Sequence, residues 1–560
     1  MTNFAKLFTK HGEDNAVWNA YPRPLLKRDS FFNLNGEWDF AVNDGEEPKF
    51  DRKINVPFCP ESLLSGVNEV FSEDKTLWYS RKFILPKGFL KDRVLLHFGA
   101  VDQICEVFIN GKLLGSHIGG YDAFNFDITE YLAEENVVTL RVTDSLSNGI
   151  LPYGKQRRKR GGMWYTPVSG IWQTVWLESV PCSHVKNIKV DTTLNSAHLK
   201  FEGISCGDVF IDGKSYAIEN GACEIAFENP RLWSPETPHL YYFTVNSGED
   251  SVESYLALRT LEIGTVDGKK RLLLNGKPYF FHGILDQGYW SDGLFTPANP
   301  ECFSDDIKML KNLGFNMLRK HIKIEPQLFY YECDRLGIAV FQDMVNNSDY
   351  SFLRDTALPT VRLLKRNDKK LHKDQKSRSA FEEGMVKTVN ALYSHPSVCQ
   401  WTIFNEGWGQ FCADEMYDKL KKIDSSRFID SASGWFRANK NDFESRHIYF
   451  RKLKAIKTEK PYFISEFGGY AYRINEHCFN LKASFGYANC KTREDFVKRL
   501  CELYKQEVLP LVKEGLCATV YTQISDVEDE INGLVTYDRK VQKITPEEFL
   551  EISQELKNSI

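Results

Sequence analysis

The sequence predicts a multidomain α and β protein: an N-terminal β-sandwich of jelly-roll type, an immunoglobulin-like β-sandwich, and a C-terminal (β/α)8 TIM barrel. Three observations carry that expectation. Residues 1–180 and 181–268 are strand-rich and helix-poor, whereas strands and helices alternate through 269–560. Two apolar runs, WTIFNEGWGQF (401–411) and PYFISEFGGY (461–470), stop on Glu406 and Glu466 with glycine behind them. Such runs read as buried parallel strands. A carboxylate where a barrel strand opens into its loop stands on the active-site rim.

In the first region VVTLRVTD (137–144) sets Val138, Leu140 and Val142 against Thr139, Arg141 and Thr143, the alternation of a half-buried strand. EVFINGKLLG (106–115) is two strands around Asn110-Gly111, a two-residue hairpin. NGEWDF (35–40), LWYSRKFIL (77–85), RVLLHF (93–98) and IWQTVWLE (171–178) continue the series. Many short strands with turn signals and almost no helical periodicity give a jelly roll. From 181 the strands shorten and become more polar, six or seven in about eighty residues, which suits an immunoglobulin-like sandwich.

The third region opens with a strand in NGKPYFFHGILDQ (275–287) and a helix in CFSDDIKMLKNLGF (302–315) with Ile307, Leu310 and Leu313 on one stripe. NMLRKHI (316–322) is a strand, and EPQLFYYECDRLG (325–337) a helix with proline near its start and glycine at its end. Strands at AVFQDM (339–344), VCQWTIFNE, FIDSASGW (428–435), HIYF (447–450), YFISEF (462–467) and ATVYTQISD (518–526) bring the count to eight. Eight strands, mostly alternating with helices, make a barrel, with Glu406 ending strand four and Glu466 ending strand seven. A doubly wound sheet would need a glycine-rich phosphate turn after its first strand, and HGILDQGYW (282–290) is not one.

A net charge of −5 points to neither nucleic acid nor a membrane surface. No apolar stretch approaches 18 residues, and the N-terminus lacks a signal-peptide core, so the expected location is cytoplasmic. Thirteen cysteines lie no closer than Cys490 and Cys501, which excludes C-x-x-C pairs and suggests buried free thiols. No H-E-x-x-H or clustered His/Asp spacing indicates a metal, and no cofactor is expected.

Two carboxylates on two strand ends of one barrel are the equipment of a glycosidase, which needs a proton donor and a nucleophile or base. The plain alternative is a pair of structural glutamates bonded to nearby backbone. It weakens when both strings occur in this order. Asp286 and Gln287 end strand one, where polar groups either bind sugar hydroxyls or satisfy loop backbone. Trp408, Trp435, Tyr449 and Tyr521 stand at or past strand ends and either stack on sugar C–H faces or pack. His282 reads as an interior histidine.

The chain resembles glycoside hydrolase family 2, the family of β-galactosidases, β-glucuronidases and β-mannosidases, over essentially its whole length. NGEWDF, VFINGKLLGSHIGGYDAFNFDIT and GMWYTPVSGIWQTVWLE match the first domain, and LNGKPYFFHGI matches the barrel opening. The resemblance implies that FNEGW carries the acid/base, Glu406, with Asn405 beside it, and that SEFGG carries the nucleophile, Glu466. KHIKIEP aligns with the family's second-strand histidine segment, implying a sugar contact at His321. Asn405 stands where an amide donates to the 2-hydroxyl, or else caps backbone. Glu406 is expected to keep its proton through burial and the neighbouring charge of Glu466.

The implied activity is a retaining exo-acting β-glycosidase on a glycoside substrate, with a homo-oligomer possible. A β-galactoside is the first expectation and a β-glucuronide or β-galacturonide the second. A catalytically silent carbohydrate-binding protein is a third reading. β-Glucuronidases carry an Asn-x-Lys pair in the last barrel segment; DEINGLVTYDRK (529–540) has Asn532 but Gly533-Leu534 where the lysine would come. The loop GGMWYTPVSG (161–170) lacks the acid that many relatives place there. KQRRKR (155–160), on the same loop, and nine Lys or Arg in the insertion 345–378 read as solvated surface or as pocket cations for an acidic glycan. The insertion itself reads as a lid, an aglycone wall or an oligomer contact.

Overall fold

The computed structural model describes residues 4–13, 17–358 and 367–559; Arg362, Lys365 and Arg366 of the basic insertion lie outside the described residues. The first domain packs two antiparallel sheets face to face. Six strands run in the spatial order Arg52–Val56, Gly36–Asn43, Thr76–Phe83, Asn136–Thr143, Ile104–Ile109 and Lys112–Ile118. Four oppose them: Phe31–Asn33, Val175–Val180, Arg93–Phe98 and Phe124–Asp127. Between the sheets Trp38, Phe40, Leu96, Val107, Leu140 and Leu177 are buried. The alternation of 137–144 is realised, with Val138, Leu140 and Val142 inside and Thr139, Arg141 and Thr143 half-buried. At the hairpin tip Asn110 and Gly111 take φ of 50° and 77°, the left-handed pair that a two-residue turn requires.

Seven antiparallel strands from Asn187 to Leu256 form the second domain around Leu199, Val209, Ile225, Phe243 and Val252. A three-stranded ribbon, Leu261–Val266, Lys269–Leu274 and Lys277–Pro278, then leads into the barrel. The segment 275–287, expected as one strand, is therefore split. Lys277–Pro278 closes the ribbon, and the barrel strand begins at Phe281.

The barrel strands are Phe281–Asp286, Met317–Lys320, Ala339–Asp343, Val398–Thr402, Phe428–Asp430, Glu444–Ile448, Tyr462–Gly468 and Leu516–Thr522. All pair in parallel, and the ring opens between the fifth and sixth. Helix boundaries follow local chemistry. Gln327–Leu336 starts after Pro326 and stops at Gly337 with φ 77°, while Asp374 caps Gln375–Leu392 through the Ser377 N–H at 2.7 Å. The fifth strand is only three residues; past Asp430 the chain bends and touches the fourth strand's loop again through the Asn405–Ser433 bridge. Thirteen cysteines are free; Cys182 and Cys206 are exposed rather than buried as expected.

One first-domain loop is laid over the barrel mouth. The Tyr153 N–H donates to the Asn346 carbonyl at 3.0 Å and its hydroxyl to that of Ser348 at 2.8 Å. The Thr166 N–H reaches Glu528 at 2.9 Å, Arg160 pairs with Glu528 and Asp529, and the Tyr165 hydroxyl donates to Glu530. No described helix is long and apolar enough to cross a membrane.

Candidate active site

Glu466 lies within the seventh strand. Glu406 stands four residues beyond the fourth, which leaves the ladder after Thr402 rather than running to the glutamate. The chain turns through Asn405, bridged to Ser433, and Glu406 itself adopts φ 49°. A left-handed backbone at a non-glycine residue is strained, and here it aims a carboxyl at the mouth. The carboxylates of Glu406 and Glu466 and the imidazole of His447 bring ligand atoms within 4.8 Å of one another. Two carboxyls about 5–5.5 Å apart suit a nucleophile attacking from one side of a sugar and an acid on the other, with no room for an intervening water.

Arg319, on the second strand and fully buried, is the hub. Its Nε donates to Asp343 at 2.9 Å, Nη1 to Glu466 at 3.1 Å and to the Ser465 carbonyl at 3.0 Å, and Nη2 to Asn405 Oδ1 at 2.9 Å. Because the guanidinium can only donate, it fixes Asn405 with its oxygen inward and its NH2 turned away. It also fixes His447. The imidazole Nε2 lies 3.4 Å from Arg319 Nη1 and 3.0 Å from the Ser433 hydroxyl, so it accepts and Nδ1 carries the proton. Nδ1 then donates to Glu406 Oε1 at 2.8 Å. Burial lowers the His447 pKa to about 4, so this ring is neutral at pH 7. With its Nδ1 proton on Glu406, it is unavailable to a cation. This trio is the one ligand-spaced group among the described residues.

The two glutamates sit in different settings. Burial raises the Glu406 pKa to about 7; Lys155 and then Arg319 oppose the rise, and Glu530 adds to it. Burial, one of the two causes expected, leads; the acid adding to it is Glu530, and the expected repulsion between the two glutamates falls on Glu466, whose pKa Glu406 raises. Glu466 is also pushed up by burial, but His447 and Arg319 oppose that, and the Tyr449 hydroxyl donates to its Oε2. One carboxyl is thus built to hold a proton and the other is surrounded by donors that favour the anion.

His321 donates from Nδ1 to Asp343 at 2.8 Å, and burial drops its pKa to about 3; the neutral ring leaves Nε2 as an acceptor for a hydroxyl. Tyr449 stacks on Tyr487 at 3.6 Å. Trp435 meets the His447 ring edge-on at 5.8 Å, and Trp408 stacks with Trp164 at 5.2 Å. Asp286 is occupied elsewhere, by the Lys320 ammonium and by the Gly288 N–H at 2.8 Å. Gln287 donates to Gln523 at 2.6 Å. Tyr521 is 0 % exposed, between Phe467 and Tyr504 in the barrel core, and presents no face to the mouth. His282 is an interior residue, held by the Gly314 carbonyl and the Tyr504 hydroxyl. The structure therefore brings together Glu406, Glu466, Asn405, His321, Tyr449, Trp435 and Trp408 but not Tyr521.

Sequence reasoning missed Arg319, Asp343, His447 and Tyr487, and named Lys155 only within the run 155–160 as one of several candidate pocket cations. Signals existed for most of them. Arg319 is a charge inside a buried strand, which demands partners. Asp343 is a third carboxylate at a strand end, and His447 is two residues from Tyr449 on the same strand face. Tyr487 comes from a loop with no such mark. Lys155 lies in the basic run, 7 % exposed; its ammonium lies 5.4 Å from the Tyr165 ring centroid and makes no hydrogen bond or ion pair among the described residues.

Residues 54–181 match the sugar binding domain of the glycosyl hydrolases family 2, 183–259 the family's second model and 266–545 its TIM barrel domain. A putative β-glucuronidase of Formosa agariphila is 23% identical over 83% of this chain and 59% of its own length. A β-galactosidase of Thermoanaerobacter pseudethanolicus is 26% identical over 79% and 61%. The chain thus spans about 60% of the length of these curated relatives. In three dimensions it is similar to a β-glucuronidase of an uncultured Clostridium sp., with TM-score 0.73 and 18% identity over 96% of this chain and 100% of that one. With three successive domain models matched in order across residues 54–545, the chain belongs to glycosyl hydrolases family 2.

Proposed function

We propose that the protein is a retaining exo-acting β-glycosidase whose preferred glycone is an acidic sugar, a β-glucuronide or β-galacturonide. Glu466 attacks the anomeric carbon while Glu406 protonates the departing oxygen. The ester that forms removes the Glu466 charge, Glu406 acidifies, and it then takes the proton of an incoming water. The Asn405 NH2 and His321 Nε2 are the groups available to the sugar hydroxyls.

The observation that carries the acidic glycone is Lys155. Its side chain is buried, its ammonium has no acid partner among the described residues, and its charge bears on both Glu406 and His321. A buried cation without a partner is costly, and a sugar carboxylate supplies the missing charge. The names of the Formosa relative and of the Clostridium structure support the reading.

A β-galactoside is the second reading, favoured by the last barrel segment and by the name of the Thermoanaerobacter relative. A Cβ at Gly533 would lie 2.1 Å from the Asp526 nitrogen, and Leu534 is buried, so no lysine reaches the site from there. A panel of nitrophenyl β-glycosides separates the two. The uronides should exceed the galactoside in kcat/KM by at least about tenfold, roughly 1.4 kcal/mol, and Lys155→Met should erase that ratio. A galactoside preference, or a ratio indifferent to Lys155, would overturn the acidic-glycone reading.

A further inference from the structure

We propose that loop 153–164 of the first domain, with Trp408 and Tyr350 of the barrel, forms the subsite for the leaving group, and that this subsite takes a sugar bearing an anionic substituent, a carboxylate or a sulfate. Lys155, on the same loop, belongs to the glycone; the subsite uses none of the other glycone-binding groups and rests on the preceding reading only in that Glu406 is the acid. The leaving oxygen must lie against that acid, so whatever surrounds Glu406 on the side away from Glu466 contacts the aglycone. Trp408 is two residues past Glu406 in the same turn. The half-buried Trp164 stacks on it at 5.2 Å, and Tyr350 meets the two rings edge-on at 4.8 and 5.5 Å. Trp408 is 2 % exposed beneath Trp164, so the face left to a ligand is that of Trp164, and flat aromatic surface beside a glycosidic oxygen suits the C–H face of a pyranose.

The Tyr153 and Tyr350 hydroxyls are engaged with the Ser348 carbonyl and the Thr356 hydroxyl, and the groups of this cluster left unpartnered are donors. The Arg157 guanidinium lies 4.4 Å from the Trp164 ring centroid and 5.6 Å from those of Tyr153 and Tyr350. Its Nε and Nη2 are buried and have no hydrogen-bond partner among the described residues, and the same holds for Trp408 Nε1. Nε and Nη2 form the edge of a guanidinium that binds a planar carboxylate or two sulfate oxygens side by side. Arg28 shows that edge filled: it places Nε and Nη2 on the two oxygens of Asp250, each at 2.9 Å. Arg160, on the same loop, has its acids in Glu528 and Asp529. Three buried donors without an acceptor, on an aromatic floor beside the acid, select an aglycone rich in oxygen and negative in charge.

The test fills the glycone site and reads the other one. Enzyme trapped on Glu466 with a 2-deoxy-2-fluoro β-glycosyl fluoride, galactosyl or glucuronosyl, whichever labels, is reactivated by acceptors. The acceptor hydroxyl oxygen bonds to the anomeric carbon, the Glu466 ester bond breaks, and the hydroxyl proton passes to Glu406. Methyl galacturonide, a sulfated methyl galactoside and methyl galactoside are compared at equal concentration. An anionic acceptor should reactivate at least tenfold faster than the neutral one, and the faster anion names the substituent. Arg157→Gln should collapse that preference, while Arg157→Lys should keep part of it. If neither fluoride labels the enzyme, quenching of tryptophan fluorescence by the same sugars, in wild type and in Arg157→Gln, makes the comparison. Equal response to anionic and neutral sugars, or a preference that survives Arg157→Gln, would overturn the proposal. Because the trap can carry either glycone, failure of the acidic-glycone reading leaves this result independent.

Discussion

Replacing Arg319 by methionine removes one cation and takes a donor from the Ser465 carbonyl and from three side chains, Asp343, Glu466 and Asn405, at 2.9, 3.1 and 2.9 Å from it. All three are 4 % exposed or less, so water cannot take its place without opening the barrel. Breaking a buried ion pair by removing one partner costs about 3–5 kcal/mol. Against a typical stability of about 5–15 kcal/mol, that is a loss calorimetry resolves easily. The orphaned carboxylates can shed charge by taking protons, so the deficit should shrink as the pH falls. Activity changes through Glu466. Arg319 lowers the pKa of that carboxyl, so its removal raises it, and the acid limb of kcat/KM moves to higher pH. Losing one charge-assisted hydrogen bond to the nucleophile, worth about 1.5–3 kcal/mol, lowers kcat/KM by about tenfold to a hundredfold at neutral pH. Arg319→Lys restores the charge but cannot span the same acceptors, so it should recover stability more than rate. The assay is a pH–rate profile of both variants beside their melting curves. An unmoved acid limb in Arg319→Met, with melting unchanged, would refute the hub.

Glu406 should set the alkaline limb: the protonated form is the competent acid, so kcat/KM falls as pH rises through about 7. Glu406→Ala should spare the first step for substrates with good leaving groups and cripple it for alkyl glycosides; equal loss on both would remove the acid role. Shortening 350–376 to a Gly/Ser bridge deletes Tyr350 and also Asp368, which accepts from the Ala413 N–H at 2.9 Å and anchors the insertion to the loop after Glu406. A tenfold or larger change in kcat/KM with little shift in melting would make the insertion an active-site wall. A melting temperature that falls and becomes dependent on protein concentration would make it an oligomer contact.

The two nucleophile-and-acid strings were legible because buried parallel strands leave long apolar runs, in which a glutamate followed by glycine has few structural explanations. The sandwiches were legible for a similar reason, since period-two alternation and Asn110-Gly111 each have a direct backbone cause. Less visible were features that depend on spatial neighbours. Tyr521 follows the same strand-end logic as Tyr449, yet it lies inside the eighth strand with its ring against Phe467 and Tyr504, whereas Tyr449 lies one residue past the sixth and its hydroxyl reaches Glu466. Asp286 looked like a sugar ligand, but Lys320, from the adjacent strand, takes its charge. The basic run 155–160 divides by residue: Lys159 is exposed, Arg158 is paired with Glu73, Arg160 with Glu528 and Asp529, and Lys155 and Arg157 have no acid partner among the described residues. Within the insertion, Lys369, Lys370, Lys373 and Lys376 are exposed, as a solvated surface would have them. Charge count alone could not make that division, because it depends on which acids the surrounding loops bring alongside.

The central claim is that Glu466 forms a covalent bond to the sugar while Glu406 holds the proton. Inactivation with a 2-deoxy-2-fluoro β-glycosyl fluoride, followed by peptide mapping, tests it directly. The slow-turnover ester should appear on the peptide containing Glu466 and nowhere else, and Glu466→Gln should take up no label. A label on any other residue, or a first-formed product of inverted configuration with no label at all, would contradict the account.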